Sequence, residues 1–203
     1  MPYPCWCFHQ QVFCAQVDIS LILPYFDHME NQPLYFFTAT ILKWLPLLEK
    51  YRYKEIIINS LTFLVSKNRC KVYGFVIMPN HIHILWQMRG DYKRENVQRD
   101  FLKFTGQMIR MDLIKNDNEY LQNFYVNLKD RQYQIWQRNS LSIKMFSREV
   151  IEQKLSYIHN NPVQGKWMLV NDLIYYKYSS VRFYETGEFE EFSFLSHYME
   201  YFE

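Results

Sequence analysis

At 203 residues the chain is long enough for one domain with an ordinary hydrophobic core, and 49% hydrophobic residues with only 5 Gly and 7 Pro are the composition of a globular protein, not of an extended disordered one. A formal net charge of +2 neither requires nor excludes a nucleic-acid partner, because a basic face fits inside a near-neutral total. Three of the 4 cysteines (Cys5, Cys7, Cys14) crowd together and Cys70 stands alone, which is no disulfide framework; with no apolar run of membrane-spanning length and no secretion signal, the expectation is a cytoplasmic protein with no membrane partner.

The first thirty residues hold no sustained period and read as a poorly ordered extension; the body is expected over 31–203. The run Leu34 to Leu42 is β-branched and aromatic, hence a strand. Ile56, Ile57, Leu61 and Leu64 recur at helical spacing between Tyr53 and Lys67. Lys71 to Met78 and His81 to Met88 flank Pro79-Asn80 and read as an antiparallel hairpin. Over 93–116 a helix is expected with Val97, Phe101, Phe104, Met108 and Met111 as its buried stripe, and Arg99, Lys103 and Arg110 on the opposite, basic face. Tyr133 to Arg138 reads as a short strand, and Ser147 to Asn160 as a helix capped by Ser147. The sum is an α+β fold with an antiparallel sheet. The 17 tyrosines and 16 phenylalanines suit a strand-rich core, a base-stacking surface, or both.

Two places carry chemistry. In His81-Ile82-His83 the strand alternation puts both imidazoles on one face, which is half of a divalent-metal site or a hydrogen-bonded structural pair; imidazole suits manganese and the later transition metals better than magnesium. In the helix that begins after Ser147, Ile151, Leu155 and Ile158 form the buried stripe. Lys154, Tyr157 and Asn161 share another face at spacings of three and four, although Pro162 biases Asn161 away from helical geometry. Read alone, Tyr157 is equally an ordinary surface tyrosine.

Gly74-Phe-Val-Ile-Met-Pro-Asn-His-Ile-His-Ile-Leu85, followed downstream by Tyr157-Ile-His-Asn-Asn-Pro-Val163, resembles the paired signature of REP-associated tyrosine transposases, within the HUH group of single-tyrosine transposases. The resemblance runs from about Tyr35 to about Tyr184 and takes in Leu34 to Thr40, Phe101 to Thr105, Trp136-Gln137 and Tyr178 to Ser180. It implies a ferredoxin-like antiparallel sheet with helices packed on it. It also implies His81 and His83 as ligands to Mg or Mn, Asn161 as a candidate third ligand, and Tyr157 as the nucleophile toward single-stranded or hairpin DNA. The expected activity is cleavage and rejoining near hairpins through a 5′-phosphotyrosine, with no nucleotide cofactor. Arg99, Lys103, Arg110 and Lys154 become candidates for contact with the DNA backbone. Phenols ionise weakly at neutral pH, on the order of one in a thousand, so a nearby cation is needed for such a nucleophile.

The chain departs from the pattern at Asn139-Ser140-Leu141-Ser142, where relatives carry an acidic residue and His-Pro. Two other readings therefore stay open: a hairpin-binding protein that cuts weakly or not at all, and a structural protein in which the histidines and tyrosine only pack. The N-terminal stretch lies outside the resemblance, with Met29 where such a protein would begin. Cys5, Cys7, His9 and Cys14 admit a zinc reading, although their spacing is not that of common zinc modules. Monomer and homodimer are both compatible with the sequence.

Overall fold

The computed structural model describes residues 32–187 and 191–203; the expectations for the N-terminal extension, its cysteine cluster and Met29 lie outside the described residues. The main elements are β1 (Leu34–Thr40), α1 (Tyr51–Ser66), β2 (Cys70–Ile77), β3 (His81–Met88), α2 (Arg94–Asn116), β4 (Tyr125–Leu128), β5 (Arg131–Tyr133), β6 (Leu141–Lys144) and α3 (Arg148–Asn160), with two short α-helices, Asn118–Leu121 and Val181–Thr186, and several 3-10 turns between and after them. The main sheet has the order β2-β3-β1-β6, antiparallel throughout. This is the expected ferredoxin-like arrangement, with the β4–β5 hairpin inserted before the last strand.

Alternation along the strands gives the sheet two working faces. Phe37 and Trp86 meet Phe101 of α2, so one face is the seat of the core. Helix α1 buries Tyr53, Ile57, Leu61 and Leu64 along one stripe. It stops at Asn68, whose positive φ of 52° is a left-handed cap; the amides of Asn68 and Arg69 return to Val65 and Leu64, satisfying carbonyls that the helix end would leave open.

Helix α2 covers the expected range, but its buried row is Val97, Phe101, Thr105, Ile109 and Leu113, while Phe104, Met108 and Met111 are exposed. A hydroxyl hides this phase in the sequence. Thr105 lies fully inside because its Oγ1 donates to the Phe101 carbonyl at 2.8 Å and accepts from the Trp136 indole at 2.9 Å, which removes the cost of burying it. Arg99, Lys103 and Arg110 are exposed as expected.

The segment 133–138 is not a strand. Only Tyr133 belongs to β5, and Trp136 makes an isolated bridge to Ile41. The edge strand is β6 instead, which begins inside the departing Asn139 to Ser142 segment and pairs with β1. It is only 4 residues long and carries Leu141 and Ile143 largely exposed, so its apolar–polar alternation is at the shortest length that signals a strand.

On the other face of the sheet lies α3. Ser147 caps it by accepting from the Val150 amide, and Ile151, Leu155, Ile158 and His159 are buried. Closeness of approach is set by Gly74, where a Cβ would lie 2.6 Å from Leu155 Cδ1 and 3.4 Å from Ser180 Oγ. Gly74→Val is expected to lose roughly 1–3 kcal/mol by overpacking this contact, read as a lowered urea midpoint; an unchanged midpoint would show that the helix is not seated on the glycine.

Candidate active site

On the α3 face, β1 and β3 run with Thr38 opposite His83 and Thr40 opposite His81. Both imidazoles emerge on that face, with ring centroids 4.8 Å apart. His83 is 5% exposed. Its Nδ1 is 2.7 Å from Thr38 Oγ1, its ring stacks on Phe36 at 5.2 Å, and its Nε2 is buried without a hydrogen-bond partner. His81 Nδ1 is 2.7 Å from Asn80 Oδ1.

Burial pushes the His83 pKa down to about 3, with His81 and Lys154 nearby adding to the effect. His81 is also lowered by burial, partly offset by a hydrogen bond with the Asn161 side chain. Both rings are therefore neutral at pH 7, the form in which imidazole offers a lone pair. A buried Nε2 with nothing to bind costs on the order of 1–3 kcal/mol, a penalty that a ligand at that atom would remove.

Tyr157 stands over this pair. Its ring centroid is 5.2 Å from that of His83 and 6.1 Å from Phe36, and it is 46% exposed. Lys154 Nζ lies 5.1 Å from the Phe36 ring centroid and 5.7 Å from that of Tyr157. Asn161 keeps helical dihedrals (φ −53°, ψ −42°) because Pro162 falls in the first turn of a following 3-10 helix, Asn161–Val163. The bias away from helical geometry expected at Asn161 is not realised, and Asn161 reaches His81. His81, His83, Lys154, Tyr157 and Asn161 are thus brought together. Among the described residues no group of three His, Cys, Asp or Glu could hold a metal; a divalent ion here would rely on the two imidazoles and the Asn161 amide oxygen. The unpartnered His83 Nε2 and two neutral rings are a donor set that fits manganese better than magnesium.

Arg99, Lys103 and Arg110 do not join this cluster. They line a groove of about 610 Å³ between α2 and the segment 130–140, together with Arg131 and Arg138. One short loop links groove and site: Gln137, on the groove wall, donates its amide to the Thr40 carbonyl at 2.7 Å, and Thr40 pairs with His81.

Sequence reasoning misses Thr38, Phe36, Asn80 and Trp44. Thr38 and Phe36 are within its reach, because alternation along β1 puts them on one face. Asn80 is 1% exposed and works in two directions, toward His81 through Oδ1 and to the Trp44 carbonyl through Nδ2 at 3.3 Å. Lys43 and Trp44 hold positive φ, 59° and 58°, a conformation that costs a residue other than glycine roughly 1–2 kcal/mol.

No protein-family model and no curated protein matches the chain. Among solved structures, the fold is similar to a REP-associated tyrosine transposase bound to a REP hairpin, with a TM-score of 0.57 at 18% identity over 79% of this chain and 84% of that one. A Deinococcus radiodurans R1 protein provisionally assigned as a transposase matches more weakly, with a TM-score of 0.42 at 10% identity over 63% of this chain and 88% of the other.

A second buried imidazole, His159, is held down to about pKa 4 by burial, its Nε2 3.0 Å from Ser180 Oγ. For His83 and His159 alike the folded pKa lies below the unfolded value near 6.5. The unfolded chain therefore binds more protons, and stability present above pH 6.5 is lost as pH falls toward 4. Each ring is expected to cost about 2 kcal/mol by pH 5. Urea unfolding in chelator should show a lower midpoint at pH 5 than at pH 7, by less in His159→Gln; equal midpoints at the two pH values would contradict the neutral, buried state of both rings.

Proposed function

We propose that the chain is a divalent-metal-dependent strand transferase that cleaves and rejoins single-stranded DNA beside hairpins, through a 5′-phosphotyrosine at Tyr157. The observation that carries this reading is the exposed Tyr157 ring set against two neutral imidazoles, one with an orphaned Nε2. The likeness in fold to a tyrosine transposase bound to a REP hairpin supports it.

In this reading His81, His83 and Asn161 would hold Mg or Mn, which would supply Lewis-acid polarisation of the scissile phosphate. Tyr157 Oη attacks phosphorus, and the bond from phosphorus to the 3′-oxygen of the preceding nucleotide breaks. The phenolic proton leaves to solvent, and the departing oxygen takes up a proton to become a 3′-hydroxyl. The phosphodiester energy stays in the tyrosyl ester, so a 3′-hydroxyl can later attack it and restore the strand. Lys154, the ammonium beside the phenol, offsets the negative charge of the phosphate brought to it. Thr38 holds the His83 ring by its Nδ1, as an outer partner orients a metal-binding imidazole. The groove of Arg99, Lys103, Arg110, Arg131 and Arg138 receives the hairpin backbone.

Incubation with manganese and labelled single-stranded oligonucleotides from palindromes flanking the gene is expected to give a covalent adduct on a denaturing gel, absent in Tyr157→Phe. Hairpin binding without adduct across several metals would instead favour the non-cutting reading that the Asn139 to Ser142 departure raises.

Replacing Lys103 and Arg110 together by alanine is expected to weaken hairpin binding and to flatten the plot of log affinity against log salt by about 2, one unit for each phosphate no longer neutralised. An unchanged slope would place the backbone elsewhere.

A further inference from the structure

We infer that Trp44 is a stacking platform for one unpaired nucleobase at the entrance to the His81–Tyr157 site, an inference that rests on the single-strand reading above. Large aromatic residues normally bury most of their surface, yet the Trp44 indole is 58% exposed and lies edge-on to His81, with ring centroids 6.4 Å apart. It is not a loose side chain on a slack loop. Lys43 and Trp44 are both held at positive φ, and three bonds fix the segment: the Trp44 amide to the Ile41 carbonyl at 2.9 Å, the Asn80 side chain to the Trp44 carbonyl at 3.3 Å, and the Lys43 ammonium to the Asn123 carbonyl at 2.9 Å.

The position is as telling as the exposure. At the end of β1 three segments cross: the Ile41 amide donates to the Asn80 carbonyl, the Leu42 amide donates to the Ile135 carbonyl, and Ile41 bridges Trp136. Trp44 follows this crossing closely, its ring beside His81 and its amide on Ile41, and Ile41 in turn bridges Trp136, which lines the basic groove. A strand leaving the groove toward the site passes the indole, and every base presents a π-face to it, whatever the sequence. The flat, rigid indole then fixes where the next phosphate falls. An outward ring on a strained backbone, whose carbonyl is held by the same buried asparagine that meets His81, is the arrangement such a platform needs.

The test is a binding cycle in the Tyr157→Phe background with manganese, so that binding alone is read. A hairpin oligonucleotide carries a single abasic nucleotide, moved one position at a time through its unpaired flank. Trp44→Ala is expected to weaken binding to intact DNA ~10-fold, and one abasic position should cost the Trp44 chain a similar factor. On that abasic DNA Trp44→Ala should lose nothing further, whereas Trp44→Phe should retain most of the affinity on intact DNA. Independent, multiplicative losses at every position, or no loss in Trp44→Ala, would overturn the stacking role and leave the single-strand reading standing. Failure of the Trp44 chain to bind any of the oligonucleotides would overturn both.

Discussion

The register between β1 and β3 is the constraint on which the rest depends. It sets Thr38 opposite His83, and the 2.7 Å contact between the hydroxyl and Nδ1 commits the ring to one orientation with Nε2 outward from the strand pair. A slip of one residue would turn both imidazoles to the α1 and α2 side and bring Ile82 and Ile84 out. The buried apolar side chains on the opposite face, Ile82, Ile84 and Trp86 among them, make that slip expensive, so the hydrophobic core is what holds the polar site in place.

Desolvation then decides the electrostatics. Charged imidazoles at this depth would repel one another and the Lys154 ammonium, and both rings are shifted so that they stay neutral. A single cation can therefore stand beside the Tyr157 phenol without competing with the pair beneath it. Phe36 serves both, stacked on His83 and lying under the Lys154 ammonium.

Where periodicity alone positions a residue, the sequence is enough. His81 and His83 share a face because strands alternate, and Ile151, Leu155 and Ile158 are buried because helices repeat every 3.6 residues. Periodicity fails where a polar group finds its partner far along the chain: Thr105 reads as surface until Trp136 supplies its donor. Likewise β6 has too short an alternation, with its apolar side chains largely exposed, and is a strand because β1 is beside it. Thr38 and Asn80 are ordinary residues in isolation, one tied to His83 across 45 positions and the other to Trp44 across 36. Pro162 reads as a break before Asn161, but a proline in the first turn of a new helix lets the rise continue.

The hydroxyl of Ser180 ties two elements, β2 and α3, to its own segment. It accepts from the Phe75 amide at 3.0 Å, lies 3.0 Å from His159 Nε2 on α3, and belongs to a segment whose backbone also pairs with β2 through Ser180 and Tyr178. The helix that carries Tyr157 is thereby fastened to the sheet of its own chain, the sheet that carries both imidazoles. Under the proposed function, a single copy would therefore hold Tyr157, Lys154 and both imidazoles for one cut.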